Sequence, residues 1–368
     1  MADNNLSQWD LIFDEFEDSL LKISQPTTIA LVAVYAPLFV ISLVGNVSVV
    51  LVVCRMHYMR KNKNYFLVNL CIADLLVTVL CVPVTLANVI YRRWIFGRVI
   101  CKLAAFSQGV AVASSIYSLA ALSLDRYLAI KHPALFRRLS NQSNGLKLIG
   151  IIWLVSMLFM MPMLYVHQVD RQQFPEFGFQ LSVCIERWSS TESKSAFAGF
   201  MLVVAYVLPC SVIVACHYVI CKTLNTTEIV TQEPDGGGGS ECKRISRKRI
   251  ALMLITLVVL FVVCWLPYNL ASLYVDITNS RDASEILPFT LLLAHANSAA
   301  NPVIYWILNI HFRNGLSIIL TRGCTAIAGG KSRNGKSRPP LIVVHGAPVI
   351  SRDEDDTLSG RMSQGDSV

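Results

Sequence analysis

Residues 248–275 read KRIALMLITLVVLFVVCWLPYNLASLYV, and after the two basic residues at its start this segment contains no charged side chain. A helix needs about 20 mainly apolar residues to cross the hydrocarbon core of a bilayer. Its backbone groups must bond to each other there, because no water is present to satisfy them. The segment is long enough and apolar enough, so we predict a transmembrane helix over 248–275.

Six further segments have the same length and character. They are residues 28–54, 64–90, 99–130, 146–167, 197–222 and 286–308. In the whole chain 54% of residues are hydrophobic and only 15% are charged, which is too apolar for an ordinary soluble domain. The sequence therefore predicts an all-α integral membrane protein, a seven-transmembrane helix bundle with a short amphipathic helix after the last span.

The composition divides the chain into three parts. Residues 1–27 form an acidic N-terminal tail, residues 28–322 contain all seven predicted spans, and residues 323–368 are polar and rich in Gly, Ser and Arg. The last part is predicted to be a disordered cytoplasmic tail. The run Gly236–Ser240 is predicted to be a flexible spacer, either natural or introduced, between the fifth and sixth spans.

Lys and Arg near the ends of spans indicate orientation, because loops rich in these residues stay in the cytoplasm. They cluster after the first, third and fifth spans, whereas the N-terminal tail is acidic. The basic residues are Arg55, Arg60, Lys61, Lys63, Lys131, Arg137, Arg138, Lys147, Lys243, Arg244, Arg247, Lys248 and Arg249. We predict a multi-pass protein of the plasma membrane with its N-terminus outside. The formal charge of +8 then reflects topology, since no motif for nucleic-acid binding accompanies it.

Two of the eleven cysteines lie on the predicted outer side. Cys101 stands at the outer end of the third span and Cys184 in the longest outer loop, where thiols are oxidised, so a disulfide between them is predicted. Asn5 begins a glycosylation sequon in the outer tail. Cys324 follows the amphipathic segment and is a candidate for palmitoylation, although an unmodified thiol fits the spacing equally well.

Asp74 lies in the middle of the second span, where an ionisable side chain is costly and invites a functional explanation. The other spans carry hydroxyl and amide groups at a similar depth. These are Asn46, Ser115, Asn297, Ser298 and Asn301. Such oxygens suit a sodium ion. They also suit a hydrogen-bonded cluster that only fixes helix packing, and the residues by themselves leave both interpretations open.

Two further features indicate a helix bundle that changes shape. Asp125 and Arg126 lie together at the inner end of the third span, where they are expected to pair with each other or to extend to the interface. Proline inside a span removes one backbone hydrogen bond and bends the helix. The prolines concerned are Pro83, Pro162, Pro209, Pro267 and Pro302.

The order of short motifs along the spans is highly specific. They are Gly45-Asn46-Val47, Leu70 to Asp74, Asp125-Arg126-Tyr127, Trp153, Pro209, Phe261 with Cys264-Trp265-Leu266-Pro267, Asn297-Ser298, and Asn301-Pro302-Val303-Ile304-Tyr305. In these motifs the chain resembles the rhodopsin-like (class A) G-protein-coupled receptors, and the resemblance extends from about Thr27 to Cys324. It implies a receptor that passes an outside signal to a heterotrimeric G protein, with arrestin and receptor kinases as further cytoplasmic partners.

The resemblance also implies roles for individual residues. Asp74, Ser115, Asn297, Ser298 and Asn301 would form an allosteric sodium pocket, and no other cofactor is expected. The switch residues would be Asp125, Arg126, Tyr127, Ile116, Pro209, Phe261, Pro302 and Tyr305, which repack beneath the ligand or admit the G protein. One departure is His217, which stands where many relatives have a tyrosine, and another is Ala111, which replaces an amide of the sodium pocket.

Ligand-pocket residues follow from the same comparison. Gln108 lies two turns below Cys101, where amine receptors have an Asp, so a neutral Gln argues against an amine ligand. Asp276 resembles the acid that binds an arginine in receptors for amidated peptides of the neuropeptide Y and RFamide type. Trp265, Ser272 and His295 complete the expected pocket, for which the expected ligand is an extracellular, cationic, amidated peptide.

Three alternatives are weighed against this reading. A lipid or other small-molecule receptor of the same fold differs from it mainly at Gln108 and Asp276. A channel or transporter would use Asp74 for conduction, but the sequence shows no internal repeat and no charged path across the bilayer. An enzyme is not expected, because no catalytic constellation stands out.

Overall fold

The computed structural model describes residues 26–59, 62–91, 93–174, 179–230, 238–278 and 281–328. Eight long helices account for most of this part of the chain. They are α1 (Pro26–Arg55), α2 (Asn62–Leu76, Val77–Cys81 and Val82–Tyr91 in succession), α3 (Gly97–Lys131), α4 (Gln142–Val166), α5 (Thr191–Leu202, Val203–Val207 and Leu208–Val230 in succession), α6 (Gly238–Thr278), α7 (Arg281–Leu308) and α8 (Ile310–Ala328). Short helical segments at His57–Met59 and Pro133–Leu139 connect them, and strands β1 (His167–Phe174) and β2 (Phe179–Glu186) form a hairpin after α4.

The predicted seven-transmembrane bundle is confirmed. Helices α1 to α6 are each long and apolar enough to span a bilayer. Helix α7 reaches the same standard only together with α8, from which it is bent by 95°. The reason lies in its sequence, because the buried polar residues His295, Asn297, Ser298 and Asn301 lower its average apolarity.

Helix α3 occupies the centre of the bundle, where it packs against α2, α4, α5 and α6. Helix α7 packs between α1 and α6, and it also contacts α2. Apolar side chains such as Val34, Leu154 and Val259 are exposed on the outside of the bundle, as expected for surfaces that face lipid. Polar side chains are buried between the helices instead.

At two of the five predicted prolines, the helix widens into a π-helical turn. The turns Val77–Cys81 and Val203–Val207 are π-helical, and each ends just before a proline, Pro83 or Pro209. A proline ring collides with the carbonyl four residues earlier, which in both cases lies inside the widened turn. The π turn therefore relieves the clash. Pro162, Pro267 and Pro302 lie inside continuous α-helices.

The β1–β2 hairpin covers one end of the bundle, which we call the disulfide end. The predicted bond between Cys101 and Cys184 is present and joins the start of α3 to β2. Next to it, the backbone N–H of Trp94 donates to the carbonyl of Ser182 at 2.6 Å. The hairpin is thus attached both to α3 and to the segment before it. The opposite end of the bundle holds Arg126 and is called the Arg126 end.

Two predicted tracts differ from the structure. The spacer Gly236–Ser240 is helical from Gly238 onward, since α6 begins there, while Gly236 and Gly237 lie outside the described residues. Helix α8 continues to Ala328, beyond the predicted start of the disordered tail at residue 323, so Cys324 is helical. Asn5 lies outside the described residues, and its glycosylation stays a prediction.

Gly45 permits the close approach of α1 to α7. A Cβ atom at Gly45 would lie 2.7 Å from the Cγ atom of Pro302, a rigid ring that has little room to move. We expect Gly45→Ala to lower stability by about 1 to 3 kcal/mol through overpacking. Thermal unfolding of the purified protein in detergent measures this.

The matched control is Gly150→Ala, because a Cβ atom there meets nothing within 4 Å. That variant should unfold at the parental temperature or slightly above, since alanine is the better helix former. Equal unfolding temperatures for the two variants would show that the α1–α7 contact tolerates the extra atom.

Candidate functional site

A cavity of about 440 Å³ opens at the disulfide end of the bundle. Helices α2, α3, α5, α6 and α7 and the hairpin all contribute side chains to its walls. Phe261 and Trp265 contribute apolar surface from α6, and Cys101 and Cys184 lie against it where α3 meets β2. Its volume is typical of pockets that hold a small molecule or a few residues of a peptide.

Four of the five predicted ligand residues line this cavity, namely Gln108, Trp265, Ser272 and Asp276. His295 does not line it. Its side chain is completely buried, and its Nδ1 atom lies 3.2 Å from the hydroxyl of Tyr35 on α1. His295 therefore joins α7 to α1, and the structure gives it a packing contact in place of the predicted ligand contact.

Three charged side chains meet on one side of the cavity. The ammonium of Lys194, from the first turn of α5, lies 2.7 Å from Asp276 Oδ1 and 3.7 Å from Glu186 Oε2. Asp276 is the most buried of the three, with 11% of its side chain exposed, against 32% for Lys194 and 35% for Glu186. We call Glu186, Lys194 and Asp276 the charged triad. Two carboxylates and one ammonium leave it with one unit of negative charge.

Two further side chains hold Glu186 in place. The indole Nε1 of Trp188 donates to Glu186 Oε2 at 3.1 Å, and His167 Nε2 lies 3.6 Å from Glu186 Oε1. Burial lowers the pKa of His167, although the charge of Glu186 opposes the shift. The imidazole is consequently neutral at pH 7, and Lys194 is the cation that faces Glu186.

A row of aromatic rings from α5 and α6 lines the cavity. Tyr206, Phe261, Trp265 and Tyr268 follow one another with ring centroids 6.2 to 6.3 Å apart. Tyr206 also donates from its hydroxyl to the carbonyl of Val262 at 3.1 Å, which ties the π turn of α5 to α6. A ligand that displaces Trp265 must therefore disturb the contact between α5 and α6.

The polar residues predicted around Asp74 are buried close to the middle of the bundle. Asp74 is 2% exposed, and the amide of Asn301 donates to its Oδ2 atom at 2.9 Å. The amide of Asn46 donates to the backbone carbonyl of Ser298 at 2.9 Å, which links α1 to α7. The side-chain oxygens of Asn46 and Asn297 have no hydrogen-bond partner among the described residues. Ser115 is buried as well.

A second polar contact joins three helices and was not singled out from sequence. Asn69 on α2 accepts from the indole of Trp153 on α4 at 2.6 Å and donates to Ser118 on α3 at 2.7 Å. Trp153 is one of the motif residues, but nothing in the sequence indicated that it bonds to Asn69. The contact fixes α2 and α4 against the central helix.

At the Arg126 end, the predicted pair is present. The guanidinium of Arg126 donates to the carboxylate of Asp125, and it also lies 6.0 Å from the ring centroid of Phe136 in the short helix after α3. Aromatic faces attract cations at this distance. Arg126 is thus held by its own helix and by the adjacent loop, with 20% of its side chain exposed.

The other predicted switch residues lie in or near the core above this pair. Ile116, Phe261 and Tyr305 belong to one buried apolar cluster, and Pro209 and Pro302 are buried too. Tyr127 on α3 is half-buried, with its hydroxyl 3.5 Å from His132. His217, which replaces the tyrosine of many relatives, is buried and lies 3.2 Å from the hydroxyl of Ser123. His217 therefore contacts α3 three residues before Arg126.

From the sequence, no role in the cavity was assigned to Lys194 or Glu186. Lys194 stands three residues before the predicted fifth span, so its position alone indicated a solvated helix end.

A seven-helix membrane bundle with a cavity at one end, an aromatic row in its wall and a held arginine at the other end is the arrangement expected of a transmembrane receptor. Residues 45–305 match the 7 transmembrane receptor (rhodopsin family) model, and the chain belongs to that family. It is similar to a QRFP-like peptide receptor of Branchiostoma floridae, with 34% identity over 293 residues, which cover 78% of this chain and 76% of that receptor. The protein is a rhodopsin-like receptor and not an enzyme.

Proposed function

We propose that this receptor binds an extracellular peptide, amidated and cationic, and activates heterotrimeric G proteins. The observation that carries the proposal is Asp276, an acid with only 11% of its side chain exposed that faces the cavity at its rim. A buried carboxylate needs a cation or hydrogen-bond donors. An arginine side chain supplies both, with a planar fork that matches the carboxylate.

The similarity to a peptide receptor supports this ligand class. The cavity volume of about 440 Å³ admits only the end of a peptide. The remainder is expected to lie along the β1–β2 hairpin, whose strand β2 carries Glu186. The charged triad argues against a lipid ligand, because apolar chains leave buried charges without new partners.

We further propose that the disulfide end faces the outside of the plasma membrane and that the Arg126 end faces the cytoplasm. The positions of the basic loops support this orientation. An agonist that shifts Trp265 and Phe261 would change the contact between α5 and α6. Arg126 would then leave Asp125 and Phe136 and become available to the G protein. The ligand acts by binding this open state more tightly than the closed one.

The first test is a response measurement in transfected cells. Calcium and cAMP are recorded while cells that carry the receptor on their surface are exposed to a library of amidated peptides. A response to arginine-containing amidated peptides supports the proposal. Silence to the whole library at normal surface level contradicts it, and a response to a lipid instead identifies the alternative ligand class.

Asp276→Asn keeps the shape of the side chain and removes its charge. We expect agonist affinity to fall by about 2 to 5 kcal/mol, as for the loss of one member of a buried charge pair. Lys194 loses its partner in the same variant and adds repulsion toward a cationic ligand. Competition binding with the agonist found in the library measures the loss.

Asp170→Asn is the matched control, because Asp170 lies on β1, pairs only loosely with Arg187 at 3.9 Å and does not line the cavity. It removes the same charge from the same end of the bundle and should change affinity little. An unchanged affinity in Asp276→Asn would rule out a ligand arginine at this carboxylate.

We also propose that Asp74 and its neighbours hold a sodium ion in the resting receptor. The residues present fit this ion by their chemistry, since Asp74 is a buried carboxylate, and the buried side-chain oxygens of Asn46 and Asn297 have no hydrogen-bond partner among the described residues. Oxygen donors are the ligands that such a hard cation prefers. When bound, sodium would supply a positive charge as a partner for the Asp74 carboxylate.

Sodium should therefore stabilise the receptor. At a concentration ten times its dissociation constant it adds about 1.4 kcal/mol, measured as a rise in unfolding temperature when choline chloride is replaced by sodium chloride. Asp74→Asn should abolish the difference between the two salts, while Asp170→Asn should keep it. A wild-type receptor that unfolds at one temperature in both salts would refute the sodium site.

A further inference from the structure

The acid that is proposed to bind the ligand already has a cation. Lys194 Nζ lies 2.7 Å from Asp276 Oδ1, a full charge-assisted hydrogen bond, and both groups line the cavity. A guanidinium that bonds to both oxygens of Asp276 would stand next to the ammonium of Lys194, and the two positive charges would repel each other. A two-pronged contact is therefore more favourable once Lys194 has moved away.

Lys194 has a second acid within reach. Glu186 Oε2 lies 3.7 Å from the same ammonium, about 1 Å beyond the length of a good charge-assisted hydrogen bond. A small change in the lysine side chain would complete that bond. The neutral imidazole of His167 does not compete for Glu186 as a cation. The indole of Trp188 donates to the same Oε2 atom, but a carboxylate oxygen can accept more than one hydrogen bond, so Lys194 can bond there as well.

We propose that Lys194 is a built-in occupant of the cation site, which a ligand guanidinium displaces from Asp276 onto Glu186. This inference rests on the proposed function, because it assumes a cationic ligand. It assigns Lys194 as a residue that sets affinity and specificity. Glu186 is assigned as the acid that receives Lys194, so that neither carboxylate is left without a cation.

The charges of the triad favour a ligand with one cation at this position. The free receptor has two carboxylates and one ammonium, so a single guanidinium brings the triad to neutrality. A ligand without a cation cannot displace Lys194, because it would leave Asp276 buried and unpaired. The guanidinium also gains over the ammonium that it replaces, since it offers two parallel donors to the carboxylate.

Displacement of Lys194 can be followed directly in purified receptor. Reductive methylation with ¹³C-formaldehyde places two labelled methyl groups on each lysine and keeps its charge, so that the Lys194 signal responds to its acid partner. The signal is assigned by its loss in Lys194→Arg. The probes are the dipeptide arginine-phenylalanine-amide and its citrulline counterpart, which has the same shape without the charge.

The arginine probe at millimolar concentration should shift the Lys194 signal, and the citrulline probe should not. In Glu186→Gln the shift should change, because the receiving acid is gone. A Lys194 signal that stays unmoved with the arginine probe overturns the proposal, and so does an equal shift with both probes.

The second part of the test measures the affinity of the two probes for receptor variants. Lys194→Gln removes the competing cation, so binding of the arginine probe should strengthen by about tenfold, which corresponds to 1.4 kcal/mol. The citrulline probe should bind as before. This gain in affinity should vanish when Lys194→Gln is combined with Asp276→Asn, because the carboxylate for which Lys194 and the probe compete is then absent. If the arginine probe bound more weakly to Lys194→Gln than to the wild-type receptor, Lys194 would be shown to favour binding of the ligand, contrary to the proposal.

Arg187→Gln is the matched control, since Arg187 is a basic residue at the same end with 64% of its side chain exposed, and it does not line the cavity. It should leave both probes unaffected. The two proposals fail separately. Cells that stay silent to peptides while Lys194 moves would refute the agonist class alone, and cells that respond while Lys194 stays fixed would refute only its displacement.

Discussion

The bundle depends on one constraint, which is that a polar group on a membrane-spanning helix must find its partner inside the protein. Lipid offers no hydrogen bonds, so Asp74, Asn69 and Asn46 all turn inward and bond to other helices. Each such contact also fixes the rotation of the helix that carries it. The same residues therefore determine both the packing of the bundle and the position of its chemistry.

This constraint explains how much of the fold was predictable. Long, mainly apolar segments located the seven spans, because the bilayer sets their length, and the predicted outer location of both Cys101 and Cys184 correctly indicated a disulfide between them. The resemblance to the rhodopsin-like receptors implied that Gln108, Trp265, Ser272 and Asp276 belong to one pocket, and all four line the cavity. Motifs fix the depth of a residue along its helix, so a resemblance in motifs carries that information well.

Direction around the helix and pairing between distant segments were harder to predict. His295 lies at the right depth for a pocket residue but faces Tyr35, and only the packing of α7 against α1 decides that. The pairing of Lys194 with Asp276 joins α5 to α6 across 82 positions of sequence, and no local pattern records it. The segment that forms the hairpin after α4 was likewise expected only as the longest outer loop. The π turns before Pro83 and Pro209 show how a single ring changes the course of a helix in a way that propensities do not describe.

The attachment of the hairpin determines which parts of the cavity wall are free to move. Cys184 is bonded to α3, and Glu186 follows it by two residues, so the position of this acid is set by the central helix. Lys194 and Asp276 belong to α5 and α6, whose contacts with the aromatic row change when Trp265 moves. The distances among these three charges consequently report the spacing of three helices. On the proposed mechanism, a cation that moves Lys194 from Asp276 to Glu186 would exchange a link between α5 and α6 for a link between α5 and the strand that is bonded to α3.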